Sequence, residues 1–491
     1  MVNENVAYAL QEDTGQKIEI AEFPVKYCSV ALSDVIAKGK RLEASVFDVE
    51  AKQARSIIEY GKYPAESLIG DDSPVRQAYY GARLKRNYVD STHPDAVGFV
   101  GSSEMLDCYP QAVKFMEETD RTKNLHVHYG NILVSRSGTI GNLVFVGKTL
   151  EKLFVSEHAI RMECRDYPGY VYAYLRTKTG QLLIQSNIYG AVIKEIEPEH
   201  LATIPVPNAP ERIKKRINDL IVHSYKLRDE SNDLIDEAEA LLKKELHFPA
   251  IEKFDVSFYK KNANVDTFNV KLSNLAGRVD ASYHVPIVDA IVKHMKKYAA
   301  EVTTVGDSRI SKEIILPGRF KRVYVEEGYG RVFIGGKQLF ELDPTNKKYL
   351  SLVHHEKRIA KQLELHEGMT LITCSGTIGK VALVGKRWEN WTASQHIIRV
   401  VPVNRDITGY LNIFLGSEYG YPLITRFTYG SVVDEIDDFH VSNVPFPLLK
   451  NVNVQRRINA LALEASEKRD EAYKQEQQAL QIMDREVIFA K

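Results

Sequence analysis

Two stretches of the chain place apolar residues at helical spacing without a break, and much of the remainder runs in short apolar segments of strand length. From Glu211 to Leu246 no Gly or Pro occurs, and Ile213, Ile217, Leu220, Ser224, Leu227, Ser231, Leu234, Ala238 and Leu241 recur alternately every four and three residues. That is heptad spacing, which gives a helix one continuous seam. At about 1.5 Å per residue such a helix spans roughly 50 Å. A second stretch, from near Val454 to Met483, keeps Ile458, Leu461, Ala465, Ala472, Ala479 and Ile482 close to the same register, with Lys468 and Gln475 weakening it. Ahead of each helix lie β-branched and aromatic runs bounded by Gly, Asn or Pro, such as NILVSR, NLVFVG, RVFIGG and MTLITC. These predict the short strands of a mixed α/β (α+β) domain. Pro-marked stops, IPVPNAP and VPFPLLK, separate strands from helix.

The pattern repeats because the chain does. RLEAS at 41–45 returns as RVDAS at 278–282, RLKRNYV at 83–89 as RFKRVYV at 319–325, and SGTIG at 137–141 as SGTIG at 375–379. SEHAIR at 156–161 matches SQHIIR at 394–399, YGAVIKEIEPEHLATIPVP at 189–207 matches YGSVVDEIDDFHVSNVPFP at 429–447, and RIN at 216 recurs at 457. The offset stays between 319 − 83 = 236 and 457 − 216 = 241 residues. Collinear matches at a nearly constant offset mean an internal duplication, and a unit of this length is a domain rather than a solenoid repeat.

The expected organisation is an N-terminal extension (1–25) without a repeat mate, a first α/β domain (26–208), a spacer helix (209–247), a second α/β domain (248–450) and a second spacer helix (451–491). The simplest partner for each helix is the other. Packed antiparallel as a coiled coil, the two would hold pseudo-symmetric domains apart at opposite ends, related by a pseudo-two-fold axis. A helix docked only on its own domain is the alternative.

Composition narrows the function classes. Apolar residues are 44% and charged residues 26% of 491, and Lys+Arg and Asp+Glu balance at 65 each. A neutral total excludes a uniformly basic nucleic-acid coat but permits local basic stripes. Four dispersed cysteines without a CxxC pair fit a reducing cytoplasm. The opening residues show no secretory signal pattern and no long apolar run predicts a membrane span, so a cytoplasmic protein without membrane contact is expected.

RLKRNYV and RFKRVYV each place three cations and a tyrosine in seven residues, suited to an edge strand with one basic face. Arg forks onto guanine or phosphate, Lys offers phosphate a point charge, and Tyr stacks or donates a hydrogen bond. Double-stranded DNA is the natural partner, and a solvated strand face is the bland alternative. The candidate DNA contacts are Arg83, Lys85, Arg86 and Tyr88 with Arg319, Lys321, Arg322 and Tyr324, and Ser102, Ser103 and Lys337 in the nearby Gly-rich turns. In SGTIG the glycines permit a tight turn and Ser137, Thr139, Ser375 and Thr377 put hydroxyls at its tip. The motif reads first as a fold-defining turn, with Arg136, Lys148, Lys380 and Lys386 around it doing more of any contacting. His158 and His396 read as structural. GNLVFVGKT resembles a phosphate-binding loop, but five residues separate Gly141 from Gly147 where that motif needs four. No metal-ligand spacing and no methyltransferase Asn/Asp-Pro-Pro-aromatic loop is found, so nothing points to catalysis by this chain.

In their order, these blocks resemble the specificity subunits of type I restriction-modification systems. The resemblance covers almost the whole chain: SRSGTIG and TCSGTIG, YGAVIKEI and YGSVVDEI, the IPVP and VPFP exits, and the helices opening ERIKKRIND and VQRRINA. It implies a non-catalytic DNA reader, one half of a bipartite target per domain, with helices that set the gap and dock two methyltransferase subunits. Those partners would bring S-adenosylmethionine, and restriction/translocase subunits, where present, ATP and Mg²⁺; no cofactor is implied on this chain. A protein-binding scaffold with duplicated heads, a DNA reader of a related phage-defence methyltransferase system, and an enzyme with an unrecognised site remain open.

Overall fold

A computed structural model describes residues 29–37, 44–190, 194–254, 260–262, 265–275 and 277–491. The N-terminal extension and the first three residues of RLEAS lie outside them. After a short helical turn at Leu32–Ala37 the first head forms α1 (Val49–Glu59), where the Asp48 carboxylate accepts from the Ala51 amide at 3.0 Å. Its strands are β1 (Val75–Tyr80), β2 (Tyr88–Val89), β3 (Ala96–Val100), β4 (Lys114–Glu117), β5 (Ile132–Ser135), β6 (Leu143–Phe145), β7 (Phe154–Val155) and β8 (Ala159–Cys164). They form two four-stranded sheets, β1-β8-β5-β6, wholly antiparallel, and β2-β4-β3-β7, whose last pair is parallel. Helices α2 (Pro168–Arg176) and α3 (Lys178–Gln185) follow, and the IPVP exit pairs at Pro205–Pro207 with Ala65–Ser67 before α4 (Glu211–Glu245).

The second head repeats this plan. After α5 (Pro286–Tyr298) come β9 (Ser311–Ile315), β10 (Tyr324–Val325), β11 (Gly330–Ile334), β12 (Lys348–Ser351), β13 (Thr370–Thr373), β14 (Val381–Leu383), β15 (Thr392–Ala393) and β16 (Ile397–Pro402). The sheets are β9-β16-β13-β14 and β10-β12-β11-β15, the same order strand for strand. Helices α6 (Arg405–Gly416) and α7 (Gly420–Thr425) precede the long α8 (Val452–Ile482). In each head one buried arginine ties the two sheets. Arg161 donates to the carbonyls of Ala159, Leu125 and Val155, and its mate Arg399 to those of Ser394, Ile397, Leu363 and Ala393. Burial pulls their pKa down, to about 10 and about 9, so both stay charged near neutrality and need those carbonyls.

Helices α4 and α8 pack against each other antiparallel. Early residues of one meet late residues of the other or of the turn that follows it: Arg216 pairs with Glu486 just past α8, Ser224 donates to the Ala472 carbonyl at 2.8 Å, Lys468 pairs with Glu230 at 2.6 Å and Arg457 with Glu237 at 2.9 Å. The core of the first head takes in Ile217 and Ile221 of α4 with Ala479 of α8 and Met483, Val487 and Ile488 beyond it. That of the second takes in Ala238 and Leu242 of α4 with Ile458, Leu461 and Ala462 of α8. Both helices therefore end in both heads. This explains why the simple seam is only partly realised. Ile217, Leu227, Ile458, Leu461 and Ala465 are buried, whereas Ile213, Leu220, Leu234, Leu241 and Ile482 are half-buried and pack against cores shared by a head and the two helices. A helix covered by a partner and by a head needs a wider apolar stripe than a two-helix seam, and Ile221, Tyr225 and Leu242 supply it.

The middle of the pair is polar. Glu476, 0% exposed, pairs with Arg228 of α4 and with Arg176 of α2 at 3.3 Å, and accepts from the Tyr172 hydroxyl at 3.0 Å. Arg228 also lies over the Tyr225 ring, 4.0 Å from its centroid. Each head is pinned to its own helix by a repeated pair of side chains. Asn218 and Asn459, the Asn of the two RIN blocks, accept from the Gly169 and Gly409 amides at 2.9 and 2.7 Å. Asp229 accepts from the Lys148 and Thr149 amides at 2.8 and 2.9 Å, and Asp470 from those of Lys386 and Arg387 at 2.9 and 3.2 Å. The segment that mimics a phosphate-binding loop thus holds a carboxylate of its own spacer. Replacing Asp470 with alanine is expected to cost about 1.5–3 kcal/mol, read as lost hydrogen-exchange protection at the 386 and 387 amides while the second head's core strands keep theirs.

Candidate nucleic-acid interface

On each head one surface collects the repeated motifs. The SGTIG turn joins β5 to β6 and β13 to β14, with Gly138 at φ 76° and Gly376 at φ 75°, values that favour glycine. Ser137 lies in a β-bridge with Glu195 and Ser375 in one with Glu435, so each turn is backed by the YGxVxxEI loop. The basic ribbon runs alongside. It is extended but mostly unpaired: only Tyr88–Val89 and Tyr324–Val325 join a sheet, as edge strands. The cations before them turn to partners instead of presenting one face.

Those partners recur in both heads. Arg83 reaches Glu195 at 3.7 Å, and Arg319 reaches Glu435 at 3.0 Å. Arg86 donates to Glu157 at 3.0 Å with its guanidinium over the Phe99 ring, and Arg322 donates to Gln395 at 2.7 Å over the Phe333 ring. Tyr88 meets Phe99 edge-on under Lys114, and Tyr324 meets Phe333 under Lys348. Lys85 and Lys321 are exposed. Burial works to raise the Glu157 carboxyl, but its backbone hydrogen bond and Arg86 outweigh that and hold it below the usual carboxylate range. The ribbon is therefore a cation and aromatic ledge in which two arginines are held by exchangeable acceptors. Phosphate oxygens could compete for those positions.

The structure separates the other candidate residues. Arg136 is not a surface cation: it is 1% exposed, pairs with Glu197 and with Glu195 at 3.2 Å, and stacks on the Tyr80 ring at 4.2 Å. A guanidinium taken out of water needs such partners, and its burial keeps phosphate from the nitrogens they leave unused. Lys148 and Lys386 sit where each head docks on its spacer helix, away from the turn tip. Lys380 lies over the Phe340 ring and acts on the Asp107 carboxyl of the other head. Ser102, Ser103 and Lys337 lie on the short turns leading to the contact between heads described below. Ser137, Thr139, Ser375 and Thr377 stay on the SGTIG surface, the two threonines exposed.

Two histidines read as structural stand at this surface. His158 is hydrogen-bonded to Ser137 at 2.7 Å, and His396 to Gln395 at 3.0 Å. Burial, then Arg322 and Arg319, lower the His396 pKa against the pull of Glu435. Their repeat offset equals that of SGTIG, a signal that ties them to the same surface. Glu195 and Glu435 were missed because acidic residues look wrong on a DNA-facing surface; here they orient arginines. Tyr189 belongs with them, donating to Glu197 at 2.8 Å, and burial together with that bond pushes its pKa up to about 12.

No protein-family model and no curated protein matches the chain. Among solved structures it is similar to the S subunit of the type I restriction-modification system from M. genitalium, at 12% identity over 86% of this chain and 94% of that one, with a TM-score of 0.34. It is also similar to the HsdS subunit from Thermoanaerobacter tengcongensis, at 14% identity over 85% and 98%, TM-score 0.27. A chain solved for complex assembly and conformational transition of the type I R-M system aligns at 15% identity over 83% and 97%, TM-score 0.27. Among the described residues no helix is long and apolar enough to cross a membrane.

The heads are not held wholly apart: they touch at the middle of the spacer. Asp107 and Glu341, which follow the equivalent strands β3 and β11, form a β-bridge, and the Cys108 amide donates to the Phe340 carbonyl at 2.7 Å. Beside them Asp343 of the second head pairs with Arg176 of the first at 3.1 Å and accepts from Gln477 at 2.9 Å. The pseudo-two-fold axis therefore runs through this bridge. Burial pushes both carboxyls up to about 7; Lys380 pulls Asp107 back while Glu341 and Glu104 add to its rise, and Arg176 pulls Glu341 back while Asp343 adds to its rise. The joined heads bind protons that separated, solvated carboxylates would release, so the contact is strongest at low pH and weakens as pH rises through about 7. Hydrogen exchange at the 107, 108, 340 and 341 amides, corrected for intrinsic rate, should show less protection at about pH 8 than at about pH 6, and Asp107→Asn should flatten that difference.

Proposed function

We propose that this chain is a non-catalytic, sequence-reading DNA-binding subunit of the type I restriction-modification kind, reading a bipartite target with one half-site per head. The observation that carries the reading is the same cation and aromatic ledge, Arg83, Lys85, Arg86 and Tyr88 on one head and Arg319, Lys321, Arg322 and Tyr324 on the other, built on two heads of identical strand order fixed to one antiparallel helix pair. Lysines and arginines on each ledge would track phosphates, giving salt-dependent, sequence-blind affinity. Side chains beside them would meet base edges, at about 1–3 kcal/mol of discrimination per good pair. In this reading methylation belongs to two partner methyltransferase subunits that carry S-adenosylmethionine, and any cleavage to ATP- and Mg²⁺-dependent partners.

The test is co-expression with a type I methyltransferase subunit from the same genome, followed by mapping of methylated adenines. A split motif with a fixed, unread gap is expected. Methylation that ignores this chain's presence, or a contiguous motif, would overturn the reading.

A further inference from the structure

The YGSVVDEI loop of the second head presents two adjacent exposed valines at its tip. Val432 is 94% exposed and Val433 51%. They sit at the tip of a closed loop: the Tyr429 amide donates to the Glu435 carbonyl at 2.9 Å and the Glu435 amide returns the bond at 2.8 Å. The loop is tied to the SGTIG turn by the Gly376 amide donating to the Asp434 carbonyl at 3.1 Å, and to the core by the Ile436 amide donating to the Cys374 carbonyl at 3.0 Å. Gly430 sits at φ 114°, and a Cβ there would come within 2.2 Å of the Val433 carbonyl oxygen, so only glycine closes the loop this tightly. The tip is apolar, exposed and held in shape.

Its surroundings identify the occupant. Arg319, with its side chain 81% exposed, pairs with Glu435 at the foot of the loop, and Lys321 is exposed next to it along the ribbon. An apolar protein partner has no need of that cationic flank, whereas a duplex brings phosphates to the flank and stacked bases between them. The exposed Asp434 carboxylate on the loop's shoulder would repel a phosphate, which leaves the base stack for the tip. Aliphatic wedges that enter a duplex partly unstack one base step and bend it, and pyrimidine–purine steps yield most readily.

We propose that Val432 and Val433, held out beside the Arg319–Glu435 pair, form a wedge that enters the base stack of the half-site read by the second head and selects a deformable step there. The proposal rests on the DNA-reading function above. In the first head the sequence places Val192 and Ile193 at the corresponding positions; these lie outside the described residues and are not part of the proposal.

The test uses the full chain with its methyltransferase partner, a short duplex carrying the mapped target, and a scrambled duplex of equal length. Duplex ends are labelled so that energy transfer reports bending. With the wild-type complex the target should bend and the scrambled duplex should not. Val432→Ser with Val433→Ser should abolish the bend and weaken target binding roughly tenfold or more, while the salt slope and the affinity for scrambled DNA stay unchanged. Val432→Leu should keep the bend. Unaltered bending and target affinity in the double serine variant would overturn the wedge, as would loss of the methyltransferase from the complex, which would make the tip a protein contact. A wild-type complex that does not distinguish target from scrambled duplex would sink the DNA-reading function itself, and the wedge with it.

Discussion

Replacing Glu476 with leucine is expected to destabilise the spacer by about 3–5 kcal/mol, the cost of removing one partner from a buried charge cluster. Arg176 and Arg228 would both remain buried without their shared carboxylate, and the Tyr172 hydroxyl would lose its acceptor. Asp343 would be left as the only acid paired with Arg176 among the described residues. The effect should appear as a lower midpoint in urea unfolding of the full chain and as early exchange at amides 340 to 345, because the second head's loop is anchored through Arg176. An unchanged midpoint would show that the cluster does not hold the spacer. Replacing Arg176 and Arg228 with methionine together with Glu476→Leu should recover part of the loss, since it removes the desolvation cost of the three central charges while leaving Asp343 to Lys347.

The second large effect concerns DNA. Changing Arg83, Lys85 and Arg86 together to alanine should weaken binding of the methyltransferase-bound complex by about 10³-fold, taking each lost charge-assisted contact at about 1.5 kcal/mol, and should lower the salt slope by about 2.7. The equivalent change at Arg319, Lys321 and Arg322 should act independently, the two ledges sharing no partner. Filter binding or fluorescence anisotropy across a salt series reads both quantities. Unchanged affinity in both triple variants would favour a scaffold whose heads bind protein. Arg86 also neutralises Glu157, so Lys85→Ala alone, at an exposed site, should lower the slope by about 0.9 without that secondary change.

Much of this architecture could be read from the residues because duplication exposes its own logic. Any block that returns at one offset has a structural duty in both copies, and RIN, SGTIG and YGxVxxEI each proved to dock, turn or brace. The antiparallel helix pair followed from the heptad spacing at 211–246 and its weaker counterpart at 454–483. The seam itself was less legible: periodicity shows which residues want burial but not by how many neighbours, and Leu220 and Leu234 pack against cores that combine a head with residues of the partner helix. Charge was the least legible property. Arg136 and Arg83 look equivalent in sequence, yet Arg136 is buried against Glu195 and Glu197, which lie 59 and 61 residues away, while Arg83 reaches Glu195 from an exposed position. The surroundings of Lys380 were hidden for a related reason, since the contact between heads brings the Asp107 carboxyl of the other copy close enough to act on, and no local pattern connects the two.

The interlacing of each long helix with both heads constrains how the molecule is made. Met483, Val487 and Ile488 fill the interior of the first head, so that head stays unfinished on the ribosome until the end of the second copy has been translated, and its closure is a post-translational step. Clipping the chain after Gln481 should therefore injure the distant first copy more than the adjacent second. Opening it instead between the copies, with the old termini joined by a linker, should be tolerated, because the order in which the two halves are synthesised would change while every interior stayed complete.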